Sequence, residues 1–226
     1  MSRTAAFISP EDVLRAIYGK STLELGMSEK RRDELIAAAI FTSFRNQEFG
    51  TRFKLPANYR EANETEDARG IDVTVSEPAG RSKQLQIKGV YIQRSIERRR
   101  LHQTKGAPRI LGRRSWRQIQ KDSEELTTIM RGELSKIIQD YSGVILIIHV
   151  IADFATQTSL EIAIKASRDI MEELKAKEVW FLRHIPVRVI GYTPTASECH
   201  AYKLIKVFPG RHTYAFSFAL RSGNGA

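Results

Sequence analysis

The decisive stretch runs from Ile71-Asp72-Val73-Thr74-Val75-Ser76 through Glu77-Pro78-Ala79-Gly80-Arg81-Ser82 to Lys83-Gln84-Leu85-Gln86-Ile87-Lys88. Its first and last parts belong to two predicted strands, Ile71 to Ser76 and Lys83 to Tyr91, because apolar residues alternate there with polar ones. The middle part contains the Pro and the Gly that a turn needs. The stretch therefore predicts a β-hairpin with one apolar face and one polar face.

The polar face of this hairpin carries three groups of different chemistry. Folding the hairpin about position 79 sets Asp72 opposite Gln86, and Lys88 follows two residues along the same face. A purely structural sheet does not need a carboxylate, an amide and an ammonium group at these positions. The alternative interpretation is that Asp72 and Lys88 are solvated or pair with each other on an open sheet surface.

The order and spacing of Asp72, Gln86 and Lys88 resemble the PD-(D/E)xK nuclease superfamily, in the variant where Gln replaces the second acidic residue. The Pro that often precedes the Asp in this motif is absent, and Ile71 stands there instead. The resemblance covers roughly residues 28–150. It implies an α/β fold (an α+β mixed sheet) with a restriction-endonuclease-like αβββαβ core and extra C-terminal strands.

The resemblance also implies a nuclease that depends on Mg²⁺ (or Mn²⁺) and hydrolyses DNA phosphodiester bonds. A divalent cation lowers the pKa of a bound water and acts as a Lewis acid on the phosphoryl group. Asp72 would be its principal ligand, Gln86 would add an amide oxygen, and the backbone carbonyl of Ile87 is a further candidate. Lys88 would orient the attacking water or stabilise the developing negative charge.

Nucleases of this kind usually take another acidic ligand from the preceding helix. A helix is predicted from Ser28 to Asn46, with Ser28 as its cap and Glu29 in its first turn. We prefer Glu34 as the ligand, because its position on this helix allows it to point toward the sheet. Asp33 and Glu48 remain alternatives.

Most of the positive charge of the chain follows directly after Lys88. The chain has 36 Lys and Arg residues against 26 Asp and Glu residues, a net charge of +10. From Arg94 to Lys121 there are ten basic residues and a single acid, Glu97, so this segment alone carries +9. Such clusters bind polyanions, and Arg favours bidentate phosphate contacts. A solvated loop or a contact to an acidic protein is the alternative.

The segment predicts the part of the chain that contacts nucleic acid. His102 and Trp116 are candidates for stacking on a base. The predicted nucleic-acid-binding residues are Arg94, Arg98, Arg99, Arg100, Lys105, Arg109, Arg113, Arg114 and Arg117.

The remaining pattern predicts one domain over residues 1–226, with a core at about 28–150 and an extension at about 151–220. Helices are predicted from Ser9 to about Tyr18, from about Ser115 to Asp140 and from Ser167 to Lys177. Strands are predicted at Arg52 to Leu55, Val144 to Val150, Val187 to Tyr192, Ala201 to Phe208 and Thr213 to Leu220. Ser159 to Lys165 fits either a strand or the start of a helix. The last three strands extend the sheet or form a small β subdomain.

The cysteine count, the apolar runs and the positions of the histidines bear on the location of the protein and on whether it binds zinc. The chain has one cysteine, Cys199, so an intrachain disulfide is impossible, which fits a cytoplasmic protein. The N-terminus lacks an apolar signal core, and the longest apolar run, Val144 to Ala152, is too short to span a membrane. The histidines are scattered, so a zinc site has no local support.

The sequence thus favours a restriction- or repair-type endodeoxyribonuclease, with two alternatives. Gln86 in place of an acid suits a nucleic-acid-binding module that has this fold but no catalysis. The Arg-rich segment alone also suits an RNA-binding protein. A homodimer is plausible for the nuclease, because cleavage of both strands of a duplex needs two sites.

Overall fold

The computed structural model describes residues 7–18, 20–58, 71–91, 115–136, 141–151, 156–185 and 197–221. These residues combine helices with a six-stranded mixed sheet, so the predicted α/β (α+β) class is confirmed. Whether this sheet is the αβββαβ core of a nuclease stays a prediction.

The described helices and strands are numbered here in chain order. The helices are α1 (Pro10–Ile17), α2 (Thr22–Leu25), α3 (Glu29–Phe49), α4 (Trp116–Ser135), α5 (Gln157–Ala166) and α6 (Arg168–Glu173). The strands are β1 (Phe7–Ile8), β2 (Leu55–Pro56), β3 (Val73–Ser76), β4 (Ser82–Tyr91), β5 (Ile145–Ile151), β6 (Glu178–Ile185), β7 (Ser197–Phe208) and β8 (His212–Arg221).

The main sheet has the strand order β3-β4-β5-β6-β7-β8. The pairs β3/β4, β6/β7 and β7/β8 are antiparallel. Helix α4 lies in sequence between β4 and β5, and α5 and α6 lie between β5 and β6. Strands β1 and β2 form a separate antiparallel pair.

The predicted hairpin and its register are confirmed. Val73 pairs with Leu85 and Ser76 pairs with Ser82, so the hairpin is centred on position 79. The turn is closed by a hydrogen bond from the Glu77 N–H to the Arg81 carbonyl, and Gly80 adopts a φ of 85°. Glycine suits this position because a side chain disfavours that backbone conformation. Continuing the register by one residue sets Asp72 opposite Gln86.

Helix α3 carries the candidate acid toward the hairpin. The Ser28 hydroxyl accepts the Arg31 N–H as the predicted N-cap, and Gly50 ends the helix in the left-handed conformation, with φ of 62°. The middle of the helix is buried, and Phe41 and Phe44 pack edge-on against Trp180 at ring-centroid distances of 5.3 and 5.6 Å. This packing holds α3 against the hairpin and β6, because Phe41, Leu85 and Trp180 belong to one buried cluster.

Elsewhere the structure differs from the sequence-based expectations in several places. Residues 159–165 belong to helix α5, which is the helical one of the two alternatives left open, but the helix expected from Ser167 to Lys177 ends at Glu173. The strand expected from Arg52 is reduced to β2 and a single bridge between Lys54 and Ser76. Strand β6 was not predicted, whereas the strand expected at Val187 to Tyr192 lies outside the described residues. Strands β7 and β8 extend the main sheet and do not form a subdomain of their own.

The residues group into two compact units, and the single domain expected over residues 1–226 stays a prediction. The first comprises residues 1–88, 143–149 and 177–226, and the second comprises residues 89–142 and 150–176. Within the second unit, Arg131 of α4 makes a bidentate ion pair with Asp169 of α6, at 2.7 and 2.9 Å. In the part of the chain that the structure describes, no helix has the length and apolar character required to cross a bilayer.

Candidate active site

Asp72 lies immediately before β3 and is fixed by four hydrogen bonds. Its Oδ2 accepts the Gln86 side-chain amide at 2.7 Å and the Ile87 backbone N–H at 2.6 Å. Its own N–H donates to the Leu85 carbonyl at 3.0 Å, and its carbonyl accepts Arg31 Nη1 at 2.9 Å. The carboxylate therefore replaces a backbone acceptor at the end of the hairpin ladder, which holds its position.

Glu34, in the second turn of α3, lies next to this carboxylate. It is 8% exposed, and its cationic neighbours are Lys30 Nζ, 3.5 Å from Oε1, and Arg31 Nη1, 3.8 Å from Oε2. Burial, and then the negative charge of Asp72, raise the pKa of Glu34 to about 7. These two ion pairs are too long to offset the burial fully.

Burial also raises the pKa of Asp72, although the Ile87 N–H and the charges of Lys88, Lys30 and Arg31 oppose the shift. The folded chain therefore does not fully stabilise the charged forms of these two neighbouring carboxyl groups. Such perturbed groups are enriched at functional sites.

Gln86 contributes a buried amide whose oxygen is left without a donor. The residue is 2% exposed, and its Nε2 is oriented by the Asp72 carboxylate, because turning the amide over would set two oxygens together. Among the described residues, Oε1 has no hydrogen-bond partner. An unsatisfied buried acceptor typically costs about 1–3 kcal/mol, which a cation or a water at this position would recover.

The oxygen atoms of this site fit a hard divalent cation. Mg²⁺ takes oxygen ligands, keeps several waters and needs only one or two carboxylates from the protein. Glu34 and Asp72 supply the carboxylates, Gln86 supplies the amide oxygen, and the Ile87 carbonyl remains a candidate by prediction. Over the described ranges, no group of three or more His, Cys, Asp or Glu side chains is placed to hold a metal ion. A cation would therefore depend on the amide and on water for its remaining ligands.

The alternatives to Glu34 lie in other surroundings. Asp33 contacts its neighbour Arg32 at 3.2 Å, and Glu48 is exposed near the other end of α3. Lys88 is half-buried, and its charge acts on Asp72. The structure thus brings Glu34, Asp72, Gln86 and Lys88 together, as the sequence analysis expected of these four residues.

Arg31 belongs to this site but was not predicted. It links α3 to the hairpin by its bond to the Asp72 carbonyl and also approaches Glu34. Its position three residues before Glu34 on a helix was the available signal, because side chains at that spacing share a helix face.

Most of the predicted nucleic-acid-binding residues cannot be placed. Arg117, together with Lys121 and Trp116, lies at the start of α4 in the second unit, and all three are exposed. The others lie outside the described residues, as does His102: Arg94, Arg98, Arg99, Arg100, Lys105, Arg109, Arg113 and Arg114.

Comparison with known proteins gives no family. No protein-family model matches the chain, and no curated protein matches it. Among solved structures, it is similar to the central domain of yeast acetyl-CoA carboxylase, with 12% sequence identity and a TM-score of 0.31. The match covers 97% of this chain and 41% of that one, so the chain spans less than half the length of that structure. Similarity of this degree carries neither fold nor function across.

Proposed function

We propose that the protein is a metal-dependent nuclease that hydrolyses DNA phosphodiester bonds at the site formed by Glu34, Asp72, Gln86 and Lys88. The observation that carries the proposal is the buried Gln86 Oε1, which lacks a donor beside two carboxyl groups of raised pKa. A bound cation would satisfy this oxygen and stabilise both carboxylates at once. The spacing of Asp72, Gln86 and Lys88 adds independent support from the sequence.

Each residue of the site has its own role in the proposed hydrolysis. A bound Mg²⁺ or Mn²⁺ would supply an acidified water and polarise the scissile phosphate. Asp72 and Glu34 provide the negative charge that retains the cation, and the bonds from Gln86 and Ile87 keep Asp72 in one orientation. Lys88 orients the attacking water or binds the oxygen on which charge develops. Lys30 and Arg31 add positive charge for the substrate phosphate.

The test is cleavage of supercoiled plasmid by the full chain in Mg²⁺ or Mn²⁺, with EDTA as the metal-free control. Wild type is compared with Lys88→Ala and with Lys203→Ala, which removes another half-buried lysine from the same sheet. We expect metal-dependent nicking or linearisation that Lys88→Ala loses and Lys203→Ala retains. Equal cleavage by all three proteins would reject the assignment of the site.

The second candidate is a nucleic-acid-binding module without catalysis. It is favoured by the presence of only two carboxylates among the described residues of the site, and by the hydrogen bond that the Gln86 amide donates to the Asp72 carboxylate. Such a module would bind DNA equally well with and without Mg²⁺ and would release no product. Competition between duplex DNA, single-stranded DNA and RNA would separate both candidates from an RNA-binding protein. A restriction or repair role, a cytoplasmic location and a homodimer remain predictions.

A further inference from the structure

A positively charged surface lies in the first unit, at the C-terminal end of α3. We call it the α3 rim and define it by Arg45, Arg81, Lys83, Lys177, Lys206, His212 and the ring of Phe49. Lys206 lies between Trp180 and His212 in the register of β6, β7 and β8. Arg45 contacts Glu178 at the start of β6 at 2.7 Å. Lys83 of β4 lies within the electrostatic reach of Arg45, Lys177 and Arg81.

The two buried acids at this rim, Glu178 and Glu77, already pair with cations of the rim, whereas Glu48 next to Phe49 is exposed. Glu178 is buried and accepts hydrogen bonds from Arg45 and from the Trp180 indole, each at 2.7 Å. Burial alone would raise the pKa of Glu178, but these bonds and the charges of Arg45 and Lys206 outweigh it and leave the pKa lowered. Glu77 is also buried and pairs with Arg81 at 2.6 Å. These acids use Arg45 and Arg81 as partners.

The charge of Glu178 also acts on Lys83 and Lys206, but Arg45 and Arg81 already pair with the two buried acids, so the lysines leave the rim with an excess of positive charge. Lys83 Nζ lies 5.8 Å from the centre of the Phe53 ring, and Lys206 Nζ lies 5.7 Å from that of the Trp180 ring. Burial, and then the positive charge of Arg45, lower the pKa of Lys83. These cations, which lie beside aromatic faces and repel one another, form a surface that attracts anions.

Aromatic rings accompany these cations at the surface. Phe49 is 45% exposed, and its ring is fixed between Phe44 at 5.9 Å and Tyr214 at 6.2 Å. The Arg45 guanidinium lies 5.2 Å from the Phe49 centroid, and the exposed His212 lies 6.3 Å from Tyr214. Rings held in this way can stack on bases without losing much side-chain freedom.

We propose that the α3 rim binds single-stranded nucleic acid. Lys83, Lys177 and Lys206 contact its phosphates, and unpaired bases stack on Phe49 and His212. The occupant is single-stranded because a duplex hides its base faces, whereas cations next to fixed rings fit a strand whose bases are free. Arg45 lies eleven positions after Glu34 in α3, which is about 16 Å along the helix. The rim is therefore distinct from the candidate active site, and the proposal does not require the nuclease reaction.

The experiment measures binding of a fluorescein-labelled 20-nucleotide oligo-dT to the full chain by anisotropy, in EDTA and over a series of NaCl concentrations. Lys83→Gln/Lys206→Gln is compared with Lys20→Gln/Lys203→Gln, which removes two lysines of the same unit outside the rim. We expect the rim variant to bind about tenfold more weakly, with a salt slope that is smaller by about 1.4. The control variant should bind as wild type does.

Two further variants keep the test decisive. Lys83→Arg/Lys206→Arg retains both charges and should bind as wild type, which separates lost charge from lost folding. Phe49→Ala should weaken binding about tenfold at an unchanged salt slope, because it removes stacking and no charge. Equal loss in the control variant, or tighter binding of a 20-base-pair duplex that Phe49→Ala does not weaken, would overturn the proposal. Because EDTA prevents metal-dependent cleavage, these results do not depend on whether the active-site proposal holds.

Discussion

At the scale of single residues, the charge of Glu34 opposes folding. Its pKa is about 7 in the folded chain against an ordinary 4.5, so between these values the folded state holds more protons than the unfolded state. The free energy of unfolding therefore falls as the pH rises through this window, and the penalty is complete above pH 7. We expect Glu34→Gln to stabilise the metal-free protein by about 2–3 kcal/mol at pH 8 and by almost nothing near pH 4.5.

Urea unfolding at several pH values measures this effect. Glu29→Gln serves as the control, because Glu29 is on the same helix but its side chain is 76% exposed. It should change the free energy of unfolding by less than about 1 kcal/mol, with little dependence on pH. A Glu34→Gln protein that is less stable than wild type at pH 8 would contradict the electrostatic interpretation.

A second prediction at this scale concerns the effect of a substitution at Gln86 on stability, with and without a bound metal. Gln86→Glu replaces the amide that donates to Asp72 by a third carboxylate, so the metal-free protein should lose about 2–4 kcal/mol at pH 8. The same change raises the negative charge available to a cation. We expect saturating Mn²⁺ to raise the melting temperature of Gln86→Glu more than that of wild type, because a ligand stabilises the state that binds it. Equal shifts in both proteins would argue against a cation at Gln86.

At the scale of elements, the hairpin and α3 were predictable because their signals are local. Alternation fixes the faces of β3 and β4, the turn residues fix the register, and the Ser28 cap marks the start of the helix, whose end was predicted at Asn46 and lies at Phe49. The pairing of Asp72 with Gln86 followed from that register. The bond from Arg31 to the Asp72 carbonyl had no such signal, because it exists only once α3 is docked on the hairpin.

Two errors at this scale have physical causes. Strand β6 was missed because Val179 to Leu182 are all buried, so the alternation that marks a half-exposed strand is absent. The helix before it was predicted to be too long because no Gly or Pro lies between Glu173 and Glu178. The spacing of Leu160, Ile162 and Ile164 fitted both a strand and a helix. The structure has a helix there, and its N-cap is Thr156, whose side chain accepts the Ser159 N–H.

Two glycines should respond oppositely to the same substitution. Gly80 has a φ of 85° in the hairpin turn, so Gly80→Ala forces a side chain into a disfavoured conformation and should cost about 1–2 kcal/mol. Gly132 is exposed within α4, where an added Cβ meets no atom within 4 Å, so Gly132→Ala should stabilise by about 0.5–1 kcal/mol. Chemical denaturation of both variants measures the signs, and each variant serves as the control for the other.

At the scale of the whole molecule, positive charge can be read from the sequence only where basic residues lie close together along the chain. Counting charges along the chain finds the segment from Arg94 to Lys121, because its basic residues lie close together in sequence. The α3 rim draws its cations from α3, the hairpin, the segment before β6, and β7. No local count can find it, because the fold alone brings these segments together.

A prediction for the intact protein compares the effect of one substitution at Asp72 on DNA cleavage with its effect on DNA binding. Asp72 is the acid most firmly held in the candidate active site, whereas most of the basic residues proposed to bind nucleic acid belong to the segment from Arg94 to Lys121 and to the α3 rim. Asp72→Asn should therefore lower the cleavage rate at least about a hundredfold, because a metal contributes several kcal/mol to the transition state. DNA binding in EDTA should change by no more than about twofold, or become slightly tighter, because the variant removes one negative charge.

Single-turnover cleavage and anisotropy on one duplex measure the two effects side by side. Asp33→Asn is the matched control, since it removes a neighbouring acid of α3 that contacts Arg32. It should leave both cleavage and binding close to wild type. If Asp72→Asn lost binding and cleavage in equal proportion, Asp72 would be needed to form the binding surface, and its role as a metal ligand would lose its support. Loss of cleavage alone would assign Asp72 to the reaction and leave the affinity to the basic surfaces.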